Sequence, residues 1–200
     1  MTNDLDAILG YLRGMNRPVA GLLQPGISVP ELRIKTATFP TRLPEEVILL
    51  YGWHNGTRSS QGDMLDDLHF FPGFYFLPIE EAVEHWWNLR DAPGWNLDWL
   101  PLFANGGGDF YAAMCGEVKT DGTPIVGYIM GENKQDVEYE SLASMFRTIR
   151  ACFERGAFFL SQSGYLEAND VLHARIAKEL GLFRERKTGG ASGDITLLGE

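Results

Sequence analysis

The stretch that most restricts the fold is Trp99-Leu100-Pro101-Leu102-Phe103-Ala104-Asn105-Gly106-Gly107-Gly108-Asp109-Phe110-Tyr111. An apolar run stops at a cluster of turn-forming residues and a second apolar run begins directly after it. Glycine reaches backbone conformations closed to other residues, so the reversal is tight and the two runs lie side by side as antiparallel strands. A lone hairpin is marginal in water, so further strands are required. Residues 70–77 read as a strand interrupted by Pro72-Gly73, hence bent or at an edge, with residues 74–77 in the sheet. Residues 125–130 follow the Asp121-Gly122 turn as another strand, and residues 136–139 read as a short one. Trp99 and Phe103 are expected to be largely buried.

A second motif, Leu43-Pro44-Glu45-Glu46-Val47-Ile48-Leu49-Leu50-Tyr51, runs on to Asn55-Gly56. Proline suits a first helical turn, where its missing N–H is not needed. Glu45 and Glu46 then sit at the positive end of the helix dipole, and Val47, Leu50 and Tyr51 face a core. Asn55-Gly56 takes positive φ cheaply and is expected to stop the helix, with a polar loop over residues 52–68. Leu5, Ile8, Leu9 and Leu12 mark an N-terminal helix. Ser28 and Glu31 suggest a capping box for a short helix ending before Pro40. Pro78 opens a helix with Ile79, Val83, Trp86 and Trp87 along one side. Leu142, Met145, Phe146, Ile149 and Phe153 keep helical spacing up to Gly156, a C-cap. Residues 165–180 carry Leu166, Val171, Leu172, Ile176 and Leu180 at apolar positions of a last helix. Helices and strands in this order give an α+β domain, one antiparallel sheet flanked by helices.

On these two motifs the chain resembles the SMI1/KNR4 (SUKH) family, whose members carry a Leu-Pro-led helix ending at Asn-Gly and, further on, an apolar strand, a Gly-rich turn and a second strand. Where those members show a regular helix before the Leu-Pro step, this chain has Arg33-Ile34-Lys35-Thr36-Ala37-Thr38-Phe39-Pro40. The resemblance implies an SMI1/KNR4-like single domain over residues 25–160. The remainder then divides into an N-terminal helix and loop (1–24), an additional helix packed on the domain (161–183) and a flexible tail (184–200). Many members bind a protein rather than catalyse a reaction, often as antidotes to bacterial toxins.

Charge is unevenly placed. Residues 61–140 hold 15 acids and 3 bases, a net of −12 in a chain of net −10. Phosphate backbones demand Lys and Arg, so this block argues against direct nucleic-acid binding and favours a basic protein partner; the competing reading is a solvated acidic surface kept for solubility. No apolar run approaches the roughly 18 residues of a membrane span, and the N-terminus has no secretory pattern. Cys115 and Cys152 are the only cysteines, without a partner at metal-ligand spacing, which suits a reducing cytoplasm.

Catalytic and metal-binding patterns are missing from the sequence. His54, His69, His85 and His173 are widely separated, and Asn105-Gly106-Gly107-Gly108-Asp109 lacks the Gly-Lys-Ser/Thr of a phosphate loop. Asp63, Asp66 and Asp67 miss the alternating spacing of a calcium loop. No cofactor, metal or catalytic residue is therefore assigned. The candidate partner-binding residues are Trp53, His54 and Asn55, where an exposed indole would anchor a partner, and the acids Asp63, Asp66, Asp67 and Asp109 on polar connections framing the sheet. For Trp53 internal packing is the slightly favoured reading and anchoring the rival one. The expected function is non-enzymatic binding of a protein, foremost as an immunity protein against a bacterial toxin with a basic domain. A regulatory or scaffolding SMI1/KNR4 protein is the first alternative and an enzyme of unknown reaction the second. The oligomeric state is not legible in the sequence.

Overall fold

The structure, a computed structural model, describes residues 1–116 and 122–180. From the N-terminus the chain forms α1 (Thr2–Gly14), α2 (Val19–Leu22), β1 (Leu23–Pro25), α3 (Val29–Lys35), α4 (Glu45–Trp53), β2 (His54–Thr57), α5 (Leu65–Leu68), β3 (Tyr75–Phe76) and α6 (Ile79–Leu89). There follow β4 (Trp99–Ala104), β5 (Phe110–Met114), β6 (Ile125–Tyr128), β7 (Asp136–Tyr139), α7 (Leu142–Glu154), β8 (Phe158–Leu160), β9 (Leu166–Ala168) and α8 (Asp170–Glu179). The central sheet has the order β3-β4-β5-β6-β7, and every neighbouring pair in it is antiparallel. This is the α+β arrangement that the Gly-rich hairpin demanded. Its β4–β5 pairing brings Ala104 opposite Phe110 and Phe103 opposite Tyr111.

Both faces of the sheet are packed, because neighbouring residues along a strand point to opposite sides. On one side Phe103 meets Phe146 of α7, with ring centroids 6.0 Å apart. On the other, Phe110 meets His85 of α6 at 5.0 Å and Tyr128 meets Trp95 at 5.0 Å. Helix α7 turns its whole periodic stripe inward, from Leu142 through Phe153. It opens on a reciprocal Ser141–Ser144 capping box and ends just before Gly156, whose φ of 72° only glycine takes without strain. Helix α1 buries Leu5, Ile8, Leu9 and Leu12, as its spacing predicts.

Several local expectations are corrected. Asn55-Gly56 does not form the turn that stops α4; His54 is already extended, and both residues belong to β2. Gly56 does have φ of +73°, but a Cβ there would lie 2.1 Å from the Pro78 nitrogen, so the glycine permits a close backbone crossing. Asn55 Oδ1 accepts from the backbone N–H of Ile79 at 3.0 Å and caps α6 in place of a local turn. The expected loop over residues 52–68 is thus divided by β2 and α5. The single helix expected over 165–180 also splits: Leu166–Ala168 pairs with Phe158–Leu160 as a hairpin, and α8 starts after Asn169, whose side chain accepts from Leu172 N at 3.0 Å. Leu166 sat at helical spacing by coincidence. Val171 accordingly faces outward.

Among the tryptophans, Trp86 is buried but Trp87 is 53% exposed with the Arg90 guanidinium 4.4 Å from its ring centre; Trp99 is partly buried, packed against the core, and Phe103 is fully buried. Helix α3 ends at Lys35, so the Arg33–Pro40 departure is a helix end followed by turns. The tail 184–200, residues 181–183 and Asp121 of the Asp121-Gly122 turn lie outside the described residues.

Candidate functional site

The Gly-rich turn between β4 and β5 is built by Asn105. Its Oδ1 accepts from the N–H of Gly107 at 2.7 Å and of Asp109 at 3.1 Å, and its Nδ2 donates to Asp109 Oδ2 at 2.8 Å. Asp109 Oδ1 then accepts from Met130 N at 3.0 Å, joining the turn to the β6–β7 connection. On the opposite flank stands Leu65: a Cβ on Gly106 would meet Leu65 Cδ2 at 3.0 Å, and one on Gly108 would meet Met130 Sδ at 2.6 Å. The turn therefore sits between two apolar side chains separated by more than sixty residues of sequence. Met64, Leu65 and Met130 are 54%, 43% and 61% exposed, an apolar patch on the surface. Asp109 is hydrogen-bonded to Met130, and Asp63, Asp67 and Glu132 lie one or two residues along the chain from Met64, Leu65 and Met130.

Next to the turn is a cleft of about 310 Å³ lined by Phe74, Asp109, Tyr111, Gly127, Ile129 and Glu138, among others. Phe74 and Tyr111 stand with ring centroids 4.7 Å apart, both half-buried. Gly127 lies within β6, paired with Tyr111 and Asp136. A Cβ on it would come within 2.1 Å of Glu138 Oε1, so the Glu138 carboxylate occupies the room that a side chain would take.

The residues singled out in the sequence fall into two groups. Asp63 and Asp67 flank Met64 and Leu65 in sequence, and Asp109 is built into the Gly-rich turn. Trp53, His54, Asn55 and Asp66 are engaged inside the molecule. Trp53 Nε1 donates to Asp6 of α1 at 2.8 Å, and its ring packs edge-on against His54 at 4.3 Å and Phe70 at 5.9 Å. His54 Nδ1 lies 2.7 Å from the Gln24 carbonyl of β1, and Asn55 caps α6. Asp66 Oδ2 accepts from the buried Arg17 at 2.6 Å, and Oδ1 accepts from Leu166 N at 3.1 Å; Arg17 also donates to the carbonyls of Asp66 and, at 2.9 Å, Gly164. His69 lies 3.4 Å from Asp66, yet burial holds its pKa below the ordinary value and outweighs that carboxylate.

Met64, Leu65, Met130, Phe74, Tyr111 and Glu138 were not anticipated as surface residues of interest. One signal was present: a glycine inside an apolar strand marks a close approach or a site.

The thiols of Cys115 and Cys152 are both buried and both pushed up to about 12 by burial, which leaves them protonated and poorly nucleophilic at neutral pH. Among the described residues no group of three or more His, Cys, Asp or Glu is placed to hold a metal ion, and no helix is long and apolar enough to cross a membrane. A second depression, about 450 Å³ between α3 and the start of α4, is apolar at Val29, Leu32, Leu43 and Ile48 with Arg33 and Arg42 beside them, the opposite charge to the sheet end.

The sequence pattern of the SMI1/KNR4 family (SUKH-1) matches residues 27–148, and the chain belongs to this family. The matched span contains the complete five-stranded sheet and the Gly-rich turn, whereas α1, α2, β1, β8, β9 and α8 lie outside it. No curated protein matches the chain.

Proposed function

We propose that this chain works by binding rather than by catalysis, as an immunity protein that neutralises a bacterial toxin through the end of the sheet carrying the Gly-rich turn. The observation that supports this reading is the meeting of Leu65, the turn and Met130, which sets soft apolar side chains together, with acids close by along the chain. Methionine adapts its shape to a partner, and apolar centres with polar rims are the general anatomy of protein interfaces. These acids suit a basic toxin surface by steering its approach and rejecting acidic competitors. Covering the toxin's working site would be sufficient for protection. The two unpaired, buried cysteines fit a reducing cytoplasm, where such an antidote would be needed.

The test uses the product of the adjacent gene as the candidate toxin. Cells producing it should be rescued by the wild-type chain. They should lose most of that protection when Asp63, Asp67 and Glu132 are changed together to Lys and Met130 to Ala, with the circular dichroism of the variant unchanged. Full protection by that variant would remove this surface from the function, and no complex with the wild-type chain would remove that gene product as the partner.

A further inference from the structure

We propose that the groove between α3 and the start of α4 docks an acidic, leucine-bearing peptide segment of a protein partner. Its shape follows from the spacing of α3. Val29, Leu32, Arg33 and Thr36 stand at i, i+3, i+4 and i+7, so they share one side of the helix, and all four line the groove. Arg42, Leu43 and Ile48 line it from the lead into α4 and from α4 itself. Val29 is 40% exposed, whereas Leu32 belongs to the buried core, so apolar surface continues from the outside of the helix inward.

Charge selects the occupant. None of the lining residues is acidic. Arg33 and Arg42 are exposed, and among the described residues neither makes an ion pair or a side-chain hydrogen bond. Lys35, two residues beyond Arg33, shows the contrast: it is already taken by Glu31, at 3.7 Å, and by Glu80. Glu46, four residues beyond Arg42, is bound to the start of α7. The two guanidinium groups are therefore open to carboxylates, which each can hold through two parallel N–H donors. An apolar groove between helices with cationic flanks suits an amphipathic segment that lays leucines inward and acids beside them. About 450 Å³ gives room for a few side chains, not for a folded domain. Membranes and nucleic acids fit less well, since clusters of Lys and Arg hold them, and this chain has a net charge of −10 with two arginines at the groove. A short segment responds mainly to charges within a Debye length, about 8 Å, and so meets the local positive patch. No lining residue is shared with the Met64–Leu65–Met130 surface, and the proposal stands without the toxin role.

The experiment follows the backbone amides of Leu32, Arg33, Thr36 and Ile48 by NMR in the full chain. The probe is a capped peptide with Leu along one helical face and Glu beside it. One control replaces its Glu by Lys, a second replaces its Leu by Ser, and decanoate stands for a lipid acid. The acidic leucine peptide is expected to give saturable shifts centred on these amides, and each control should bind several-fold more weakly. Changing Arg33 and Arg42 together to Gln should weaken the peptide about threefold to tenfold. Both side chains are exposed, so the melting temperature of that variant should be nearly unchanged. Val29→Asp, which places an acid at the groove, should weaken binding as well. Equal binding by either control peptide, undiminished binding by the double variant, or shifts centred elsewhere would overturn the proposal. Decanoate that saturates these amides and displaces the peptide would assign the groove to a lipid acid and overturn it too. Shifts of the same amides on dilution of the free chain would show that a second copy covers the groove, with the same consequence.

Discussion

Asp63 and Asp66 are three residues apart in one acidic stretch, and the structure gives them opposite environments. Asp63 is exposed and, among the described residues, accepts from the nearby Ser60 N–H at 2.7 Å. Asp66, with a side chain 14% exposed, binds Arg17 before the family-matched span and Leu166 after it, and so ties a segment from either side to the central domain. Glu46 repeats the lesson. It was expected only to favour the dipole of its own helix, but it reaches the start of α7, accepting from Leu142 N at 3.2 Å, Ala143 N at 3.1 Å and Thr123 N at 2.7 Å. A strongly negative block is therefore two populations: carboxylates spent on internal joints, and carboxylates left for a partner.

The strongest way to break this division is Asp66→Ala. It leaves a buried arginine without its counter-charge, and loss of one partner of a buried pair costs about 3–5 kcal/mol. Chemical denaturation should show a loss of that size, and a loss below about 1 kcal/mol would mean that the joint is not a structural necessity. Glu46→Ala should come next, at about 1–3 kcal/mol, because the N–H groups that open α7 lose their acceptor. Glu46→Gln should lose less, as one oxygen remains.

Acidification sharpens the comparison from the side of the histidines. Burial lowers the pKa of His69, His85 and His173 below the ordinary 6.5, so the unfolded chain binds protons more readily than the folded one. Their contribution is complete above pH about 6.5 and is lost as the pH falls through the depressed folded values. The melting temperature should therefore decline from pH 7 to pH 5, and His173→Gln should flatten that decline. An unchanged slope would assign the acid sensitivity elsewhere.

The smallest effect on stability belongs to the surface population. Asp63→Asn should alter stability by no more than about 0.5 kcal/mol, and alone it should hardly change binding, since one exposed pair contributes about 0.2–1 kcal/mol. Joined to changes at Asp67 and Glu132, it should slow association with a basic partner and flatten the salt dependence, measured by stopped flow at low and moderate salt. Unaltered rates would return these acids to the role of a solvated surface.

Local chemistry was enough to determine much of the fold. Gly-rich reversal between apolar runs required the β4–β5 hairpin, and strict 3.6-residue spacing with a glycine beyond it required α7. Such signals are legible because the residues that satisfy them lie within a few positions of one another. The same reading erred where the satisfying group is distant. Asn55 looked like a turn residue because its acceptor role is exercised on Ile79, 24 residues away. Leu166 looked helical because its strand partner could not be seen. Trp53 was divided between packing and an anchoring role because Asp6, which accepts its indole N–H, is 47 residues earlier. The candidate site shows the same limit more sharply. Its acids could be counted, but only the folded chain brings Leu65 and Met130 to the two flanks of one turn, lays Glu138 over Gly127 and withdraws Asp66 into a buried pair. Sequence periodicity determines which residues must leave water, whereas the pairing of charges and hydrogen bonds across the fold is decided when distant segments compete for the same few buried donors and acceptors.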